Sequence, residues 1–417
     1  MSSYLLNFGR TLLELDLPED YHVEKIEPVS IQGVSNPLEA VFNALLDDPI
    51  LDRFSKARTV AIAINDKTRP VPYSKILPPL LQKINQMGIA LENVNLLVAT
   101  GTHKPINVQE IQRALPEECV NCSIYSHDSD DTSNLVDIGF TTRKTPIFVN
   151  KRFFESDLRI VTGNIEPHHF MGFSGGAKTA SIGLTGRETI NRNHRMLLDP
   201  ACCAGTFGTN PMRMDVEEIG RKIGIHYALN VILNSQKEIT HVISGNPEKV
   251  MEKGIELCRQ FTQVPVKGKF DLVIASVGGA PKDINLYQSQ KALTHAEMIT
   301  RDGGVVILIA ACPEGPGNEK FENFMKGIDS PQEALQKFKN IEFEIGPHKA
   351  YQIARQALRI HIILISEMAP DLVRRCMLIP AEDLNKAFTT ALKILPANPR
   401  IALLPYATNT LPFIVEK

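Results

Sequence analysis

Short apolar runs recur along this chain, and each empties into a small or polar loop. Thr59-Val60-Ala61-Ile62-Ala63-Ile64 leads into Asn65-Asp66-Lys67-Thr68-Arg69-Pro70, and Asn95-Leu96-Leu97-Val98-Ala99 leads into Thr100-Gly101-Thr102-His103. Leu158-Arg159-Ile160-Val161 leads into Thr162-Gly163-Asn164-Ile165-Glu166-Pro167-His168-His169. The same habit returns at Asp271–Ser276, Gly304–Ile309 and His361–Ile365. Runs that are apolar throughout, not alternating, fit strands covered on both faces, which is the pattern of parallel sheet. Between them lie stretches with a helical rhythm. Tyr73–Met87 carries Ile76, Leu77, Leu80, Leu81 and Ile84, and Gln332–Phe338 and Ala350–Leu358 read similarly. Alternation of strand and helix predicts an α/β fold with right-handed crossovers. Ligands of such sheets bind beyond the carboxyl ends of the strands, where the polar loops fall.

At 417 residues the chain exceeds one comfortable core, since single cores stop growing near ~250–300 residues. Two domains are expected, each with a mainly parallel sheet flanked by helices and with the active site in the cleft between them. The Pro-, Gly- and Lys-bearing stretch Val264–Lys269 precedes a fresh strand and marks the break. This gives an N-terminal α/β domain over 1–266 and a C-terminal α/β domain over 267–417, with the last residues able to pack back on the first. A formal net charge of −2 without a basic run argues against nucleic acid as a partner. The N-terminus lacks a basic region followed by an apolar one, so no signal peptide is expected. No run approaches the ~18 apolar residues of a spanning helix, so no membrane is expected and the cytoplasm is the simplest home. Seven cysteines include one C-x-x-C pair, Cys119 and Cys122, with no second pair to complete a zinc site.

Three loops and two later segments carry residues suited to chemistry. Arg69 offers a planar fork for a carboxylate or phosphate, and Asp66 could accept from a hydroxyl. The same residues equally make a strand-to-helix turn, with Asp as cap and Pro at the first helical position. His103 can titrate near neutrality or serve structure. The densest segment runs Glu166-Pro167-His168-His169-Phe170-Met171-Gly172-Phe173-Ser174-Gly175-Gly176-Ala177-Lys178-Thr179. Its glycines let backbone N–H groups approach an anion, and its lysine can meet a phosphate or act as a nucleophile. It misses a phosphate-binding P-loop by one glycine, at Ala177, and starts too far beyond its strand. His194 follows sixteen residues past Lys178 and is a metal ligand by type, although taken alone its surroundings read as a surface helix. Tyr287-Gln288-Ser289-Gln290-Lys291 opens a helix, with Gln288 and Lys291 on one face.

Taken together these motifs resemble the nickel-pincer lactate racemase family. The shared features are D-K-T-R-P at Asp66–Pro70, T-G-T-H at Thr100–His103, E-P-H-H-F-x-G-F-S-G-G-x-K at Glu166–Lys178, His194, and Y-Q-x-x-K at Tyr287–Lys291. The resemblance implies a 2-hydroxy acid racemase or epimerase that inverts the C2 carbon by hydride transfer through a 2-keto acid. It implies a nickel pincer nucleotide, a pyridinium mononucleotide with two sulfur-bearing arms, joined covalently to Lys178, with His194 as the nickel ligand. His103 and His168 take the acid/base roles. Asp66, Lys67, Thr68 and Arg69 contact the cofactor, and Arg69, Tyr287, Gln288 and Lys291 contact the substrate. Partners are then a small 2-hydroxy acid and the cofactor-synthesis proteins. His169 receives no role.

A hydride route makes chemical sense. A C–H beside an ionised carboxylate is not acidic enough for simple deprotonation, whereas a histidine can take the hydroxyl proton while hydride leaves the carbon. Two other readings stand beside this one. One is a metal-dependent hydrolase using His103, His168 and His169, and the other a carrier of the nucleotide that performs no catalysis. Which acid is turned over, lactate or a relative, is not written in these motifs.

Overall fold

The computed structural model describes residues 2–17, 21–66, 69, 71–341, 343–344 and 346–415. The chain divides into two compact units. One is contiguous, Ser30–Gln260, and the other is split, joining the chain up to Val29 with the chain from Phe261 onward.

The contiguous unit is built on a six-stranded sheet. Its spatial order is Ile239–Gly245, Tyr227–Leu233, Leu158–Asn164, Val60–Asn65, Val94–Ala99, Ser123–Ser126. All neighbours are parallel except the edge strand Ile239–Gly245, which is antiparallel to its partner. Val60–Ile64 is buried throughout, as a strand covered on both faces must be. Helix Tyr73–Gln86 lays the expected stripe of Ile76, Leu77, Leu80, Leu81 and Ile84 into a core shared with Ile62, Leu96 and Ile160. From Val60–Asn65 the chain first moves one way across the sheet to Val94–Ala99 and Ser123–Ser126. It then returns to the other side with Leu158–Asn164. A reversal of this kind opens a crevice at the strands' carboxyl ends. The loops at 66–69, 100–103 and 165–178 leave three adjacent strands at that edge.

The split unit has its own six-stranded sheet, ordered Ile379–Ala381, His361–Ile365, Thr300–Ile309, Phe270–Ser276, Ile401–Leu404, Val23–Lys25. Every neighbouring pair is parallel. Helix Leu286–Ile299 and the later helices Pro331–Lys339 and Pro347–Ala357 cover one face. The other face takes Leu6, Leu15 and Leu17 from the hairpin Ser2–Phe8/Thr11–Leu17. Placing residues 1–29 here differs from the expected division at 266/267. The cause is strand pairing between distant parts of the chain, Ile401 opposite Val23, which no local pattern announces.

Candidate active site

In the first loop the Arg69 N–H donates to the Asp66 carbonyl at 3.1 Å, a tight turn off the strand end. Lys67, Thr68 and Pro70 lie outside the described residues. In the second loop the His103 N–H donates to the Thr100 carbonyl at 3.0 Å. Gly101 sits at φ +57°, and its N–H reaches the Gly183 carbonyl at 3.0 Å, which ties this loop to the segment following Lys178. His103 is half exposed, and its Nδ1 bonds to Oδ2 of buried Asp66 at 2.7 Å. A carboxylate only accepts, so Nδ1 carries the proton and Nε2 keeps a lone pair.

The third loop is the most heavily braced. Pro167–His168 and Gly172–Phe173 form a short antiparallel ladder. Gly172 has φ +74°, and a Cβ there would lie 1.4 Å from the Thr206 carbonyl oxygen, so only glycine fits. Asn210 Nδ2 donates to the Phe170 carbonyl at 2.8 Å. The fully buried Arg213 donates to the carbonyls of Phe173 at 2.9 Å and Gly175 at 3.0 Å, and pairs with Glu217 at 2.5 Å. Asn230 Oδ1 accepts from the Gly176 N–H at 3.3 Å. Lys178 therefore starts its short helix, Lys178–Ser181, from a fixed turn.

Four rings follow one another inside this region. His168 stacks on His169 with centroids 4.6 Å apart, both meet Phe170, and Phe170 meets His194 edge-on at 5.6 Å. His168 Nδ1 accepts from the Met171 N–H at 3.3 Å, the opposite arrangement to His103. His194, assigned by spacing alone to a surface helix, is buried at the end of helix Arg187–His194. Its Nδ1 donates to the Ile190 carbonyl at 3.0 Å, leaving Nε2 as an electron-pair donor. Burial, and then the positive charge of Lys178, push its pKa down to about 3. The neighbouring Asn193 donates to Oδ2 of buried Asp215 at 2.9 Å, and Asp215 also accepts from Thr141 and Thr145. Arg69 Nη1 stands 4.0 Å from Glu166 Oε1 and so links the first and third loops.

Asp66, Arg69, His103, His168, Lys178 and His194 thus belong to one connected region of the contiguous unit. Tyr287, Gln288 and Lys291 form a separate group within the split unit. Lys291 Nζ donates to Gln288 Oε1 at 2.7 Å, and Asn285 caps the helix by accepting from the Gln288 N–H at 3.0 Å. Tyr287 meets His348 edge-on, and burial raises its phenol well above the ordinary value.

Sequence reading missed the supporting residues Asn193, Asn210, Arg213, Asp215 and Asn230, because polar side chains inside helices and strands resemble solvated ones. Cys119 and Cys122 are buried free thiols, pushed up to about 12 and about 11 by burial, which suits packing better than redox chemistry. Of the adjacent pair, Cys202 is buried and Cys203 exposed. Among the described residues, no group of three or more His, Cys, Asp or Glu is arranged to hold a metal ion. His103, His168 and His169 accordingly do not make the ligand set a hydrolase would need. Among the described residues, no helix is long and apolar enough to cross a membrane.

A parallel α/β scaffold gathers a carboxylate-supported histidine, a second histidine and a braced lysine at one sheet edge. The chain matches the lactate racemase N-terminal domain over residues 8–205 and the lactate racemase C-terminal domain over residues 266–411. It is 31% identical to the lactate racemase of Thermoanaerobacterium thermosaccharolyticum over 97% of this chain and 98% of that one. It is also 31% identical to the lactate racemase of Lactiplantibacillus plantarum, over 83% of this chain and 84% of that one. The fold superimposes on the lactate racemase apoprotein from Thermoanaerobacterium thermosaccharolyticum with a TM-score of 0.92 at 29% identity, covering all of both chains. A Thermotoga maritima protein with a TM-score of 0.70 at 17% identity shares the fold. The chain belongs to the lactate racemase family and is an isomerase.

Proposed function

We propose that the chain inverts C2 of a 2-hydroxy acid, lactate or a close relative, with a nickel pincer nucleotide held at Lys178 and His194. The observation that carries this reading is a buried His194 near enough to Lys178 to feel its charge, with Nδ1 donating to the Ile190 carbonyl and Nε2 left with its lone pair. An imidazole fixed in one tautomer by a backbone carbonyl is the form in which histidine ligates a metal. Two polar atoms beside the Gly175-Gly176 turn, Ser174 Oγ and Asn230 Nδ2, are buried with no hydrogen-bond partner among the described residues. They supply what a polar group tethered at Lys178 would satisfy.

Such a group, when bound, supplies a reversible acceptor for the hydride of C2. The chain's own residues manage the proton and the carboxylate. His103, with Nδ1–H on Asp66, is arranged to take the substrate's hydroxyl proton at Nε2. His168 holds Nδ1 as an acceptor, so its neutral ring bears the proton at Nε2. In these tautomers His103 offers a lone pair that takes the hydroxyl proton, and His168 an Nε2–H that hydrogen-bonds the same oxygen. The imidazolium formed at His103 gives the proton back once the planar keto acid has turned, and His168 takes the reciprocal role for the other enantiomer in its other tautomer. Arg69 and Lys291 are assigned to the substrate carboxylate, as charge-assisted donors.

The test is intact mass and nickel content of protein produced together with the cofactor-synthesis proteins, followed by interconversion of D- and L-lactate and related acids. A mass increase on Lys178, bound nickel and exchange of enantiomers are expected. An unmodified Lys178 with no nickel and no exchange would overturn the reading.

A further inference from the structure

The split unit contains a buried carboxylate that the steps above leave unused. Asp283 is 1% exposed and lies beyond the carboxyl end of strand Phe270–Ser276. Its Oδ2 accepts from the Gly9 N–H at 2.6 Å and from the Ala311 N–H at 3.2 Å. One oxygen therefore joins the turn of the N-terminal hairpin, 274 positions away, to the segment leaving strand Thr300–Ile309. Its Oδ1 has no hydrogen-bond partner among the described residues. The backbone continues the junction. The Asp283 carbonyl accepts from the Cys312 N–H at 2.8 Å, and the Ile284 carbonyl from the Glu314 N–H at 3.0 Å. In return the Gly315 and Pro316 carbonyls accept from the Leu286 and Tyr287 N–H groups at 3.0 and 3.1 Å.

These bonds fix the start of helix Leu286–Ile299, which carries the substrate-side residues. The first N–H groups of a helix lack partners within it, and at the carboxyl edge of a sheet they are open to an anion. Here the first three are taken. Leu286 and Tyr287 pair as above, and the Gln288 N–H donates to Asn285 Oδ1 at 3.0 Å. The Ser289 N–H then begins the helical ladder on the Asn285 carbonyl at 3.0 Å. Gly317, at φ +83°, lies so near this cap that a Cβ would stand 2.2 Å from Asn285 Cγ. Cys312 holds φ +51°, a left-handed backbone that a non-glycine residue keeps only where its surroundings impose it. Recognition of an acid on this side therefore falls to side chains, Gln288 and Lys291, and the junction at Asp283 sets where their helix begins.

Resting on the 2-hydroxy acid reading, we infer that Asp283 is a positioning residue for the substrate, tying the hairpin turn and the 310–316 segment to the helix start so that Gln288 and Lys291 meet the substrate carboxylate. It touches no reacting atom. The carboxylate bound by Gln288 and Lys291 keeps its charge throughout the reaction, so displacing them weakens ground state and transition state alike. Loss of Asp283 consequently appears in KM and leaves kcat nearly unchanged. A residue that only held the fold together would lower the denaturation midpoint and change neither constant in the protein that stays folded. Since one carboxyl oxygen makes both bonds, asparagine can present its carbonyl oxygen to Gly9 and Ala311 in the same way.

The experiment measures kcat and KM of cofactor-loaded wild type, Asp283→Ala and Asp283→Asn for L-lactate, or for the related 2-hydroxy acid that wild type exchanges fastest. Asp283→Ala is expected to raise KM by about tenfold or more with kcat within about threefold of wild type, and Asp283→Asn to bring KM back to within about threefold. Nickel content and modification of Lys178 stay at wild-type levels in both. An unchanged KM in Asp283→Ala, a fall in kcat at constant KM, or an asparagine variant as impaired as the alanine one overturns the inference. If Asp283→Ala does not fold, Asp283→Glu decides, because its extra methylene pushes the junction apart: KM should rise severalfold, and an unchanged KM refutes the proposal. Failure of the underlying reading looks different, with no 2-hydroxy acid exchanged by wild type and Lys178 unmodified. Deuterium exchange then decides alone, and Leu286 and Tyr287 amides as protected in Asp283→Ala as in wild type overturn the role of Asp283.

Discussion

At the scale of single residues, the Asp66–His103 pair carries the sharpest expectation. The carboxylate fixes the proton on Nδ1 and leaves Nε2 basic. Asp66→Asn puts an amide in reach that can donate to Nδ1, which moves the ring proton to Nε2 and removes the base. Turnover should fall by ~10²–10⁴-fold, the range of a positioned general base, and His103→Ala should match or exceed that loss. Mass spectrometry should still find Lys178 modified in both variants. Turnover near wild type in Asp66→Asn would show that tautomer control at His103 is irrelevant.

A second residue, His127, ties pH to stability. It is buried, donates from Nε2 to the Thr185 carbonyl at 3.0 Å and meets Asn150 Nδ2 at Nδ1 at 3.2 Å. Both contacts suit a neutral ring, and burial lowers its pKa. As pH falls below the ordinary imidazole value, the unfolded chain takes up a proton that the native ring refuses. Stability is therefore lost on acidification, at up to ~1.4 kcal/mol per pH unit for one proton. Urea denaturation between pH 7 and 5 should show a shallower decline in His127→Gln than in wild type. Identical slopes would mean that His127 does not titrate between the two states.

At the scale of elements, helix Pro211–Ile223 acts as the brace of the site. Its Arg213 holds two carbonyls of the loop that ends in Lys178, and its Asp215 anchors the helix that ends in His194. Arg213→Ala would strand the carboxylate of Glu217 and both carbonyls, a loss of ~3–5 kcal/mol for breaking a buried pair. The denaturation midpoint and the fraction of Lys178 that becomes modified should drop together. A stable variant with full modification would limit Arg213 to filling space. This dependence could not be read from the sequence, because in isolation Arg213 and Asp215 resemble the charged residues of any surface helix. The apolar runs at Val60–Asn65, Val94–Ala99 and His361–Ile365 were legible because both faces of each strand are covered, so hydrophobicity is uninterrupted. Strand Tyr227–Leu233 was not, since Asn230 breaks its run, and that asparagine turns out to hold Gly176. The hairpin at 2–17 was hidden by its alternation, with Glu14 and Asp16 on the outer face of a strand whose Leu15 and Leu17 are buried. The loops of the site were legible as strand ends, while the pairing of His103 with Asp66 and the burial of His194 needed coordinates.

At the scale of the whole molecule, the order of the chain makes one unit separable and the other dependent. The contiguous unit closes its own sheet without help from the termini. The split unit takes an edge strand, Val23–Lys25, and three buried leucines, Leu6, Leu15 and Leu17, from the start of the chain. The hairpin is also fastened through Gly9, whose N–H donates to Asp283 at 2.6 Å and whose carbonyl accepts from the Ala280 N–H at 2.8 Å. Burying three leucines contributes roughly 5–9 kcal/mol at ~1.5–3 kcal/mol each. That is comparable to the whole stability of a domain, ~5–15 kcal/mol. A fragment of residues 30–262, cut so that helix Pro247–Thr262 stays whole, should fold alone with a cooperative urea transition. Residues 263–417 alone should not, and fusing residues 1–29 to them through a flexible linker should restore a cooperative transition. If 263–417 unfolds cooperatively by itself, the hairpin is an ornament on a sheet that already stands, and the dependence argued from Leu6, Leu15 and Leu17 is wrong.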